Sequence, residues 1–481
     1  MPHEPSAHAP QPPEPPPNRL PSGFRWGVST SAYQIEGATT EDGRGRSIWD
    51  TFAERPGAVR DGHTAENACD HYHRWREDVA LLAGLGVDAY RFSVAWPRVQ
   101  PGGRGPANAA GLDFYDRLTD ALLAAGVRPF PTLYHWDLPQ ELEDAGGWLS
   151  RDTARRFADY ATLVADRLGD RVRDWITLNE PFVHMAFGYA LGVHAPGRAL
   201  LLDALPVAHH QLLGHGLASA SLRERGGRVH LANNCTPVTP ASDAPADREA
   251  ADAYDTLHNR LFNDPLMNGS YPDLSAYGAG DDLRGTLRDG DLDLIGGTPL
   301  DGLGVNYYNP TRVRAAPAGA GLPFEDVPID GVPHTAFGWP VVPGGLRDLL
   351  LGLRERYGDR LPPLTVTENG CSYDDGPGAD DTDRIGYLDG HIGAVADAVA
   401  RGVDVRGYFT WTLLDNFEWA EGYHQCFGLV HVDHETRTRT PRASYAWYRD
   451  LIAAHRAGAR PDPVGSGPAH RDPTPRDPAQ P

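Results

Sequence analysis

Short apolar runs that alternate with helical stretches set the fold of this chain. Eight such runs, rich in β-branched and aromatic residues, recur along the sequence, and most are followed by a segment with helical periodicity. The runs cover residues 24–29, 87–94, 127–134, 172–178, 228–235, 303–307, 364–367 and 405–411. Strands that alternate with helices form a parallel sheet, and eight repeats close that sheet into a barrel. The sequence therefore predicts an α/β fold, a single (β/α)8 TIM barrel.

The barrel is predicted to fill one domain between two tails of different composition. The spacing of apolar residues predicts helices over 70–85, 111–125, 153–168 and 389–400. Residues 1–20 and 458–481 are rich in proline and too polar to form a core, so we expect them to be disordered. No linker interrupts residues 21–457, which we assign to one (β/α)8 barrel domain.

Polar residues cluster where most of the apolar runs end. The C-terminal ends of barrel strands all face one mouth, where the active sites of this fold lie. We therefore expect side chains that are far apart in the sequence to converge there. They share a chemistry of carboxylates, amides, imidazoles and indoles: Gln34, Glu36, Arg91, His135, Asp137, Asn179, Glu180, Asn306, Tyr308, Glu368, Asn369 and the segment 411–419.

The charge and the cysteines limit the partners and the compartment. A formal net charge of −21 disfavours nucleic acids and anionic membranes, which bind basic surfaces, so neither partner is expected. The cysteines (Cys69, Cys235, Cys371 and Cys426) are too widely spaced for a zinc motif or a small disulfide scaffold, which favours thiols in a reducing compartment.

Residues 1–20 lack the pattern of a signal peptide, and no run of eighteen apolar residues occurs, so we expect a cytoplasmic location. His71 and His73 have no third ligand at metal-binding spacing, and no metal site is predicted. The sequence leaves the oligomeric state open.

Two glutamates are candidates for glycosidic bond cleavage. This reaction needs two carboxyl groups beside the anomeric carbon, one to protonate the leaving oxygen and one to attack the sugar or activate water. Glu180 and Glu368 are each the first charged residue after an apolar run. Gln34, His135, Glu418 and Trp419 are suited to hydrogen-bond sugar hydroxyls, and Trp136 and Trp411 to stack on an apolar sugar face.

Seven motifs in order give the chain a close resemblance to the β-glucosidases of glycoside hydrolase family 1. They extend over roughly residues 22 to 455. The motifs are FRWGVSTSAYQIEGA, YRFSVAWPR, LYHWDLPQ, TLNEP, GVNYY, VTENG and WTLLDNFEWAEGY, the last followed by FGL. One of them alone would be a weak signal, whereas seven in family order are specific.

The resemblance implies a role for each matching residue. It implies that Glu180 is the acid/base, that Glu368 is the nucleophile, and that Arg91 and Tyr308 contact Glu368. It implies further that the non-reducing sugar is held by Gln34, His135, Asn179, Glu418 and Trp419, with Trp411 beneath it and with Asn306 and Phe427 at further pocket positions. No cofactor is implied. Phe182 stands where many relatives carry Trp, which leaves the preference for the leaving group open.

The expected function is hydrolysis of terminal β-D-glucosyl residues with retention, with side activity on β-galactosides and β-fucosides. A retaining pair predicts carboxyl groups about 5–5.5 Å apart, whereas about 9 Å would favour inversion. The expected partners are a β-glucoside or cello-oligosaccharide and water. Two alternatives remain open at this point: a sugar-binding barrel without activity, and a transferase that uses an activated glycoside donor.

Overall fold

Eight parallel strands close into a barrel in the order of the chain. The computed structural model describes residues 20–279, 283, 285–373, 376 and 381–458. The last barrel strand pairs with the first, and each of the others pairs with its neighbours in sequence. The strands are β1 Arg25–Ser29, β2 Ala89–Ser93, β3 Arg128–Tyr134, β4 Asp174–Asn179, β5 Arg228–Asn234, β6 Gly302–Asn306, β7 Leu364–Asn369 and β8 Val405–Trp411. The predicted barrel is confirmed; the tails, apart from Leu20 and Gly458, lie outside the described residues.

Helices surround the barrel and connect its strands. The longer ones are His71–Leu85, Ala109–Ala124, Arg151–Leu168, Leu205–Glu224, Pro245–Asp255, Leu261–Asn268, Pro343–Tyr357, Thr382–Ala400 and Ala443–Arg456. Shorter α-helices are Ala32–Ile35, Ile48–Ala53, Trp96–Val99, Gln140–Asp144, Pro181–Val183 and Asp291–Gly296. Two segments are π-helical, His184–Ala190 and Thr256–Arg260. Among the described residues, no helix is both long enough and apolar enough to cross a bilayer.

Two small sheets lie outside the barrel. Val238–Pro240, Thr311–Ala315 and Phe324–Asp326 form one of them, and Val430–Val432 pairs with Arg439–Pro441 in the other. The four cysteines form no disulfide within the part of the chain that the structure describes.

The helix predicted over 389–400 begins seven residues earlier, at Thr382. Its first turns carry Arg384, a buried cation at a position where periodicity anticipates an apolar residue. Arg384 donates to the Asp381 carboxylate at 2.9 Å and to the Cys426 carbonyl at 3.1 Å. A buried charge that is paired in this way interrupts the apolar pattern without interrupting the helix.

The barrel interior is filled by a separate layer of side chains below the mouth. Ala89, Phe130, Ile176, Ala232 and Phe409 form this cluster. Phe409 fits there because β1 carries Gly27: a Cβ at that position would lie 2.3 Å from the Phe409 ring. Alternate residues of a strand point to the same side, so the positions two residues further along β2, β3 and β5 place Arg91, Thr132 and Asn234 above this layer.

Candidate active site

A cavity of about 920 Å³ opens at the C-terminal ends of the barrel strands. Nine of the thirteen predicted site residues line it: His135, Trp136, Glu180, Tyr308, Glu368, Trp411, Glu418, Trp419 and Phe427. The other four, Gln34, Arg91, Asn179 and Asn306, are buried behind its wall and hydrogen-bond to lining residues. The predicted convergence at the barrel mouth is therefore present for these thirteen residues. Three further residues expected there do not line the cavity and are buried elsewhere: Glu36, Asp137 and Asn369.

Two donors hold the carboxyl group of Glu368. It lies near the end of β7 and is 3% exposed. The Arg91 guanidinium donates to Oε1, and the Tyr308 hydroxyl donates to Oε2 at 2.7 Å. Arg91 reaches this position because it lies two residues after Ala89 on β2, one layer above the interior cluster. Both oxygens of the carboxyl group therefore face hydrogen-bond donors, one of them a cation.

Glu180 has neutral amides as partners in place of a cation. It directly follows β4 with a left-handed backbone (φ 43°) and is 5% exposed. Asn306 and Asn234 donate to its Oε1 at 2.9 and 3.1 Å. Burial, followed by the negative charge of Glu368, raises the pKa of Glu180 to about 8, against the lowering effect of the two amides. At neutral pH Glu180 is therefore protonated and able to act as an acid.

An amide network links the two glutamates. Asn179 Oδ1 accepts from the Arg91 guanidinium and from Asn306 Nδ2, the latter at 3.1 Å. Asn306 Nδ2 also donates to Glu180, and its Oδ1 accepts from the Thr367 hydroxyl at 2.6 Å. Because each amide has its partners, the geometry between the carboxyl groups is fixed by buried hydrogen bonds rather than by exposed side chains.

His135 is neutral and presents one uncommitted nitrogen. Asn179 Nδ2 donates to its Nε2 at 3.0 Å, so the ring proton lies on Nδ1. Among the described residues Nδ1 has no hydrogen-bond partner. Burial, and then the charge of Arg91, lowers the pKa of His135 well below its usual range. A buried donor without a protein partner is suited to a ligand hydroxyl.

The tryptophans form an aromatic wall around His135. The His135 ring stacks with Trp411 and with Trp419, at centroid distances of 5.9 Å in both cases. Trp136 packs against Trp419 at 4.7 Å, and its indole N–H donates to the Asn179 carbonyl at 2.9 Å. Since that N–H is satisfied, Trp136 offers only its apolar surface to the cavity.

Glu418 adds a third carboxyl group to the cavity. Gln34 Nε2 donates to Glu418 Oε2 at 3.2 Å and to Asn416 Oδ1 at 3.1 Å, while Ser31 donates to Gln34 Oε1 at 2.6 Å. Burial, followed by the charges of Glu368 and Glu180, raises the pKa of Glu418 to about 8. In its protonated form the group can both donate to and accept from a hydroxyl.

Several cavity residues were not among the predicted ones. Asn234 ends β5 and bonds to Glu180, and His258 Nε2 lies 2.9 Å from Asn234 Oδ1. The polar end of β5 carried the same signal that identified the other strands, so Asn234 could have been found by the same argument. Trp339 stacks on Phe337 at 4.3 Å beside Phe427, in a segment without strand or helix periodicity.

The two neighbouring histidines, His71 and His73, each pair with an aspartate. Buried His71 pairs with Asp78 at 2.8 Å, and His73 with Asp70 at 2.6 Å. One further group of possible ligands occurs among the described residues: Asp61, His63 and His424. His424 Nε2 lies 2.7 Å from Asp61, and His63 Nδ1 accepts from the Tyr423 backbone at 3.2 Å, so hydrogen bonds account for this arrangement.

Comparison with known proteins agrees with this geometry. A family model described as glycosyl hydrolase family 1 matches residues 17–457. The chain belongs to this family. It is 49% identical over 444 residues to a thermostable β-glucosidase B of Thermobispora bispora, with 90% of each chain covered. It is 44% identical to a bifunctional β-D-glucosidase/β-D-fucosidase of Bifidobacterium breve, covering 91% of this chain and 99% of the other.

The fold of this family 1 member also matches solved structures. A psychrophilic β-glucosidase of Micrococcus antarcticus aligns with a TM-score of 0.87 at 47% identity, covering 91% of this chain and 98% of the other. The predicted family is thereby confirmed over nearly the whole barrel. The departure at Phe182 lies on the cavity wall, where its ring packs on His258 at a centroid distance of 3.9 Å.

Proposed function

We propose that the protein is a retaining β-glucosidase that releases terminal β-D-glucose by double displacement, with Glu180 as acid/base and Glu368 as nucleophile. The observation that carries this proposal is that two carboxyl groups in one cavity have different surroundings. Glu368 is bonded to a guanidinium and a phenol, whereas burial raises the pKa of Glu180 to about 8. Two carboxyl groups in different protonation states are the requirement for this chemistry.

In the first step, Glu368 attacks the anomeric carbon as the glycosidic bond breaks, and Glu180 transfers its proton to the leaving oxygen. The covalent glycosyl ester removes the negative charge of Glu368, which is a main cause of the raised pKa of Glu180. Glu180, now more acidic, is ionised and takes a proton from water, which attacks the ester and restores Glu368. The predicted separation of about 5–5.5 Å between the carboxyl groups belongs to this proposal.

The remaining site residues are proposed to hold the non-reducing glucose. His135 offers a donor at Nδ1, Glu418 and Gln34 form a hydrogen-bonded pair, and Trp411 and Trp419 supply aromatic surface. Asn179, Asn306, Trp136 and Phe427 would complete the pocket. The carboxyl group of Glu418 is suited to the 4- and 6-hydroxyls of the sugar, and when it is ionised it would repel a 6-phosphate.

Substrate range and location are part of the same proposal. The relative from Bifidobacterium breve is named for two sugars, which supports side activity on β-fucosides, and we extend it to β-galactosides. Cello-oligosaccharides are included as substrates, and with them a role in cellulose degradation.

A cytoplasmic location is supported by the four cysteines, which form no disulfide among the described residues. Fractionation of cells that produce the protein would test its location.

Chemical rescue of two variants tests the assignments. Hydrolysis of nitrophenyl β-glucoside is measured for wild type, Glu368→Ala and Glu180→Ala, each with and without azide. We expect Glu368→Ala to be inactive and to regain turnover with azide, yielding an α-glycosyl azide. Glu180→Ala should retain the first step and yield a β-glycosyl azide, because azide attacks the glycosyl ester from the face opposite to Glu368.

The matched control is Glu435→Ala, which removes an exposed glutamate outside the cavity. It should match wild type throughout. Two results would overturn the proposal: no activity of the wild type on any β-glycoside, or full activity in both cavity variants. The first result would favour a sugar-binding barrel.

A further inference from the structure

The cavity extends well beyond the glutamates. At about 920 Å³ it lies near the upper end of the range for pockets that hold drug-sized molecules, so it accommodates more than one monosaccharide. The predicted polar residues occupy one part of it. Other segments contribute an outer part lined by apolar side chains, among them Phe187, Leu191, Val193, Leu201 and Leu322.

The outer part holds most of the large apolar side chains that the described chain exposes. Six such residues are exposed in all, and four of them line this cavity: Phe187 (37%), Leu191 (50%), Val193 (52%) and Leu201 (63%). The other two, Leu123 and Leu294, lie elsewhere. Scattered apolar residues on a surface need no explanation, whereas a group at the edge of a ligand cavity indicates a binding surface.

Irregular backbone brings these side chains to the cavity. Phe187 lies in the π-helical segment His184–Ala190, and Leu191 follows that segment directly. The second π-helical segment, Thr256–Arg260, contributes Leu257. Leu201 has a left-handed backbone with φ 51°, a conformation that is costly for a bulky side chain. Such features persist where a site depends on them.

Aromatic rings contribute further apolar surface to the same cavity. Trp339 and Phe337 stack on each other at 4.3 Å, and Trp339 lies 5.9 Å from Phe427. Phe324 packs edge-on against Tyr254 at 4.9 Å, and both rings line the cavity. The apolar lining therefore comes from several separate segments rather than from one loop.

We propose that the outer part of the cavity binds an apolar aglycone, alkyl or aromatic, in preference to a second sugar. This inference rests on the proposed β-glucosidase function and ranks its substrates. An apolar aglycone gains from burial against these side chains, by up to about fourfold in affinity for each buried methylene. The polar side chains of Thr236, Asn309 and Thr311 also line the cavity, but they bond to one another or to backbone carbonyls. A sugar buried there would therefore leave hydroxyls without partners, at a loss of roughly tenfold for each hydroxyl.

A series of alkyl β-glucosides tests this preference. Methyl, butyl and octyl glucosides have leaving groups of similar basicity, so differences in kcat/KM report binding of the alkyl chain in the transition state. Below micellar concentrations, we expect kcat/KM for octyl glucoside to exceed that for butyl glucoside at least tenfold. Cellobiose should be a poorer substrate than octyl glucoside.

Variants test whether the exposed leucines of the cavity cause the preference for an apolar aglycone. In the double variant Leu191→Asn, Leu201→Asn, the ratio of kcat/KM for octyl to methyl glucoside should fall at least fivefold. Asparagine tolerates the left-handed backbone of residue 201, so the variant is expected to fold. The matched control is Leu294→Asn, which replaces a leucine of 44% exposure outside the cavity and should keep the wild-type ratio.

Three outcomes would overturn the inference: a flat alkyl series, faster hydrolysis of cellobiose than of octyl glucoside, and an unchanged ratio in the double variant. A flat series together with a wild-type dimer that the double variant abolishes would assign the patch to a second copy of the chain. Failure to hydrolyse any glucoside would instead refute the proposed function, so the two failures are distinguishable.

Discussion

Raising the pH through 8 should remove the catalytic proton of Glu180. Its pKa of about 8 is well above the ordinary 4.5, with burial as the first cause and the charge of Glu368 as the second. At 1.36 kcal/mol per pH unit, the protein favours the protonated form by about 5 kcal/mol more than water does. The acid is therefore intact at neutral pH, and its protonated fraction falls about tenfold per unit above pH 8.

The size of the effect should depend on the leaving group. Methanol is a poor leaving group and needs the proton, so kcat/KM for methyl β-glucoside should fall about tenfold between pH 8.5 and 9.5. A 2,4-dinitrophenolate leaves without assistance, so kcat/KM for its glucoside should change by less than about twofold over that range. The assay is the pH dependence of kcat/KM for both substrates, with one enzyme preparation.

The variant Glu180→Gln makes the assignment specific. The amide cannot supply a proton, so kcat/KM for methyl glucoside should fall by roughly 10²–10⁴ and lose its alkaline limb. For the dinitrophenyl glucoside, kcat/KM should be largely retained while kcat falls, because removal of the glycosyl group by water then becomes slow.

Glu418 is a second buried carboxyl group that could produce an alkaline limb. Its pKa is also raised to about 8, and it is proposed to bind the sugar rather than the leaving oxygen. If both substrates show the same alkaline limb, and the limb persists in Glu180→Gln, then the titrating group is not Glu180. The acid would then have to be assigned to another residue.

Three further changes have defined outcomes. Tyr308→Phe removes the hydrogen bond of 2.7 Å to Glu368. Because a hydrogen bond to a charged group contributes about 1.5–3 kcal/mol, kcat/KM should fall about 10- to 100-fold while the circular dichroism spectrum stays unchanged. An unaltered kcat/KM would contradict the role of Tyr308. Glu418→Gln should reduce kcat/KM for a β-glucoside more than for a β-fucoside, because fucose lacks the 6-hydroxyl; equal losses would exclude that contact. Asp174→Asn should lower the Tm at pH 7, because His230 and Arg228 depress the pKa of Asp174, and this loss should vanish as the pH falls through the pKa of the native carboxyl group. A Tm difference that persists in strong acid would point to packing instead.

The fold could be predicted because its signal is repeated eight times. Each strand is short and apolar, and closure into a barrel follows from the repetition rather than from any single segment. Local errors arose where one residue broke the pattern, as at the helix that begins at Thr382, because the buried Arg384 is not apolar. Its partners, Asp381 and a carbonyl remote in sequence, are visible only in three dimensions.

The site could be predicted as far as it lies at strand ends. Glu180, Glu368 and Arg91 are on or next to strands, so the topology of the barrel brings them together. The aglycone side could not be predicted in this way. An exposed leucine such as Leu201 has the same appearance in the sequence as a core leucine, and Trp339 lies in a segment without periodicity.

Backbone conformation at the mouth connects the stability of the barrel with its chemistry. Among the described residues, eleven other than glycine have positive φ, and four of these line the cavity: Trp136, Glu180, Leu201 and Trp419. Each costs roughly 1–2 kcal/mol relative to a right-handed conformation. A glycine would relieve this cost but would remove the side chain. At Glu180 the side chain is also a buried carboxyl group, and burial raises its pKa. The free energy of unfolding therefore decreases as the pH rises through that pKa. The barrel below the mouth, whose interior is filled by packed side chains, must therefore offset the cost of these conformations.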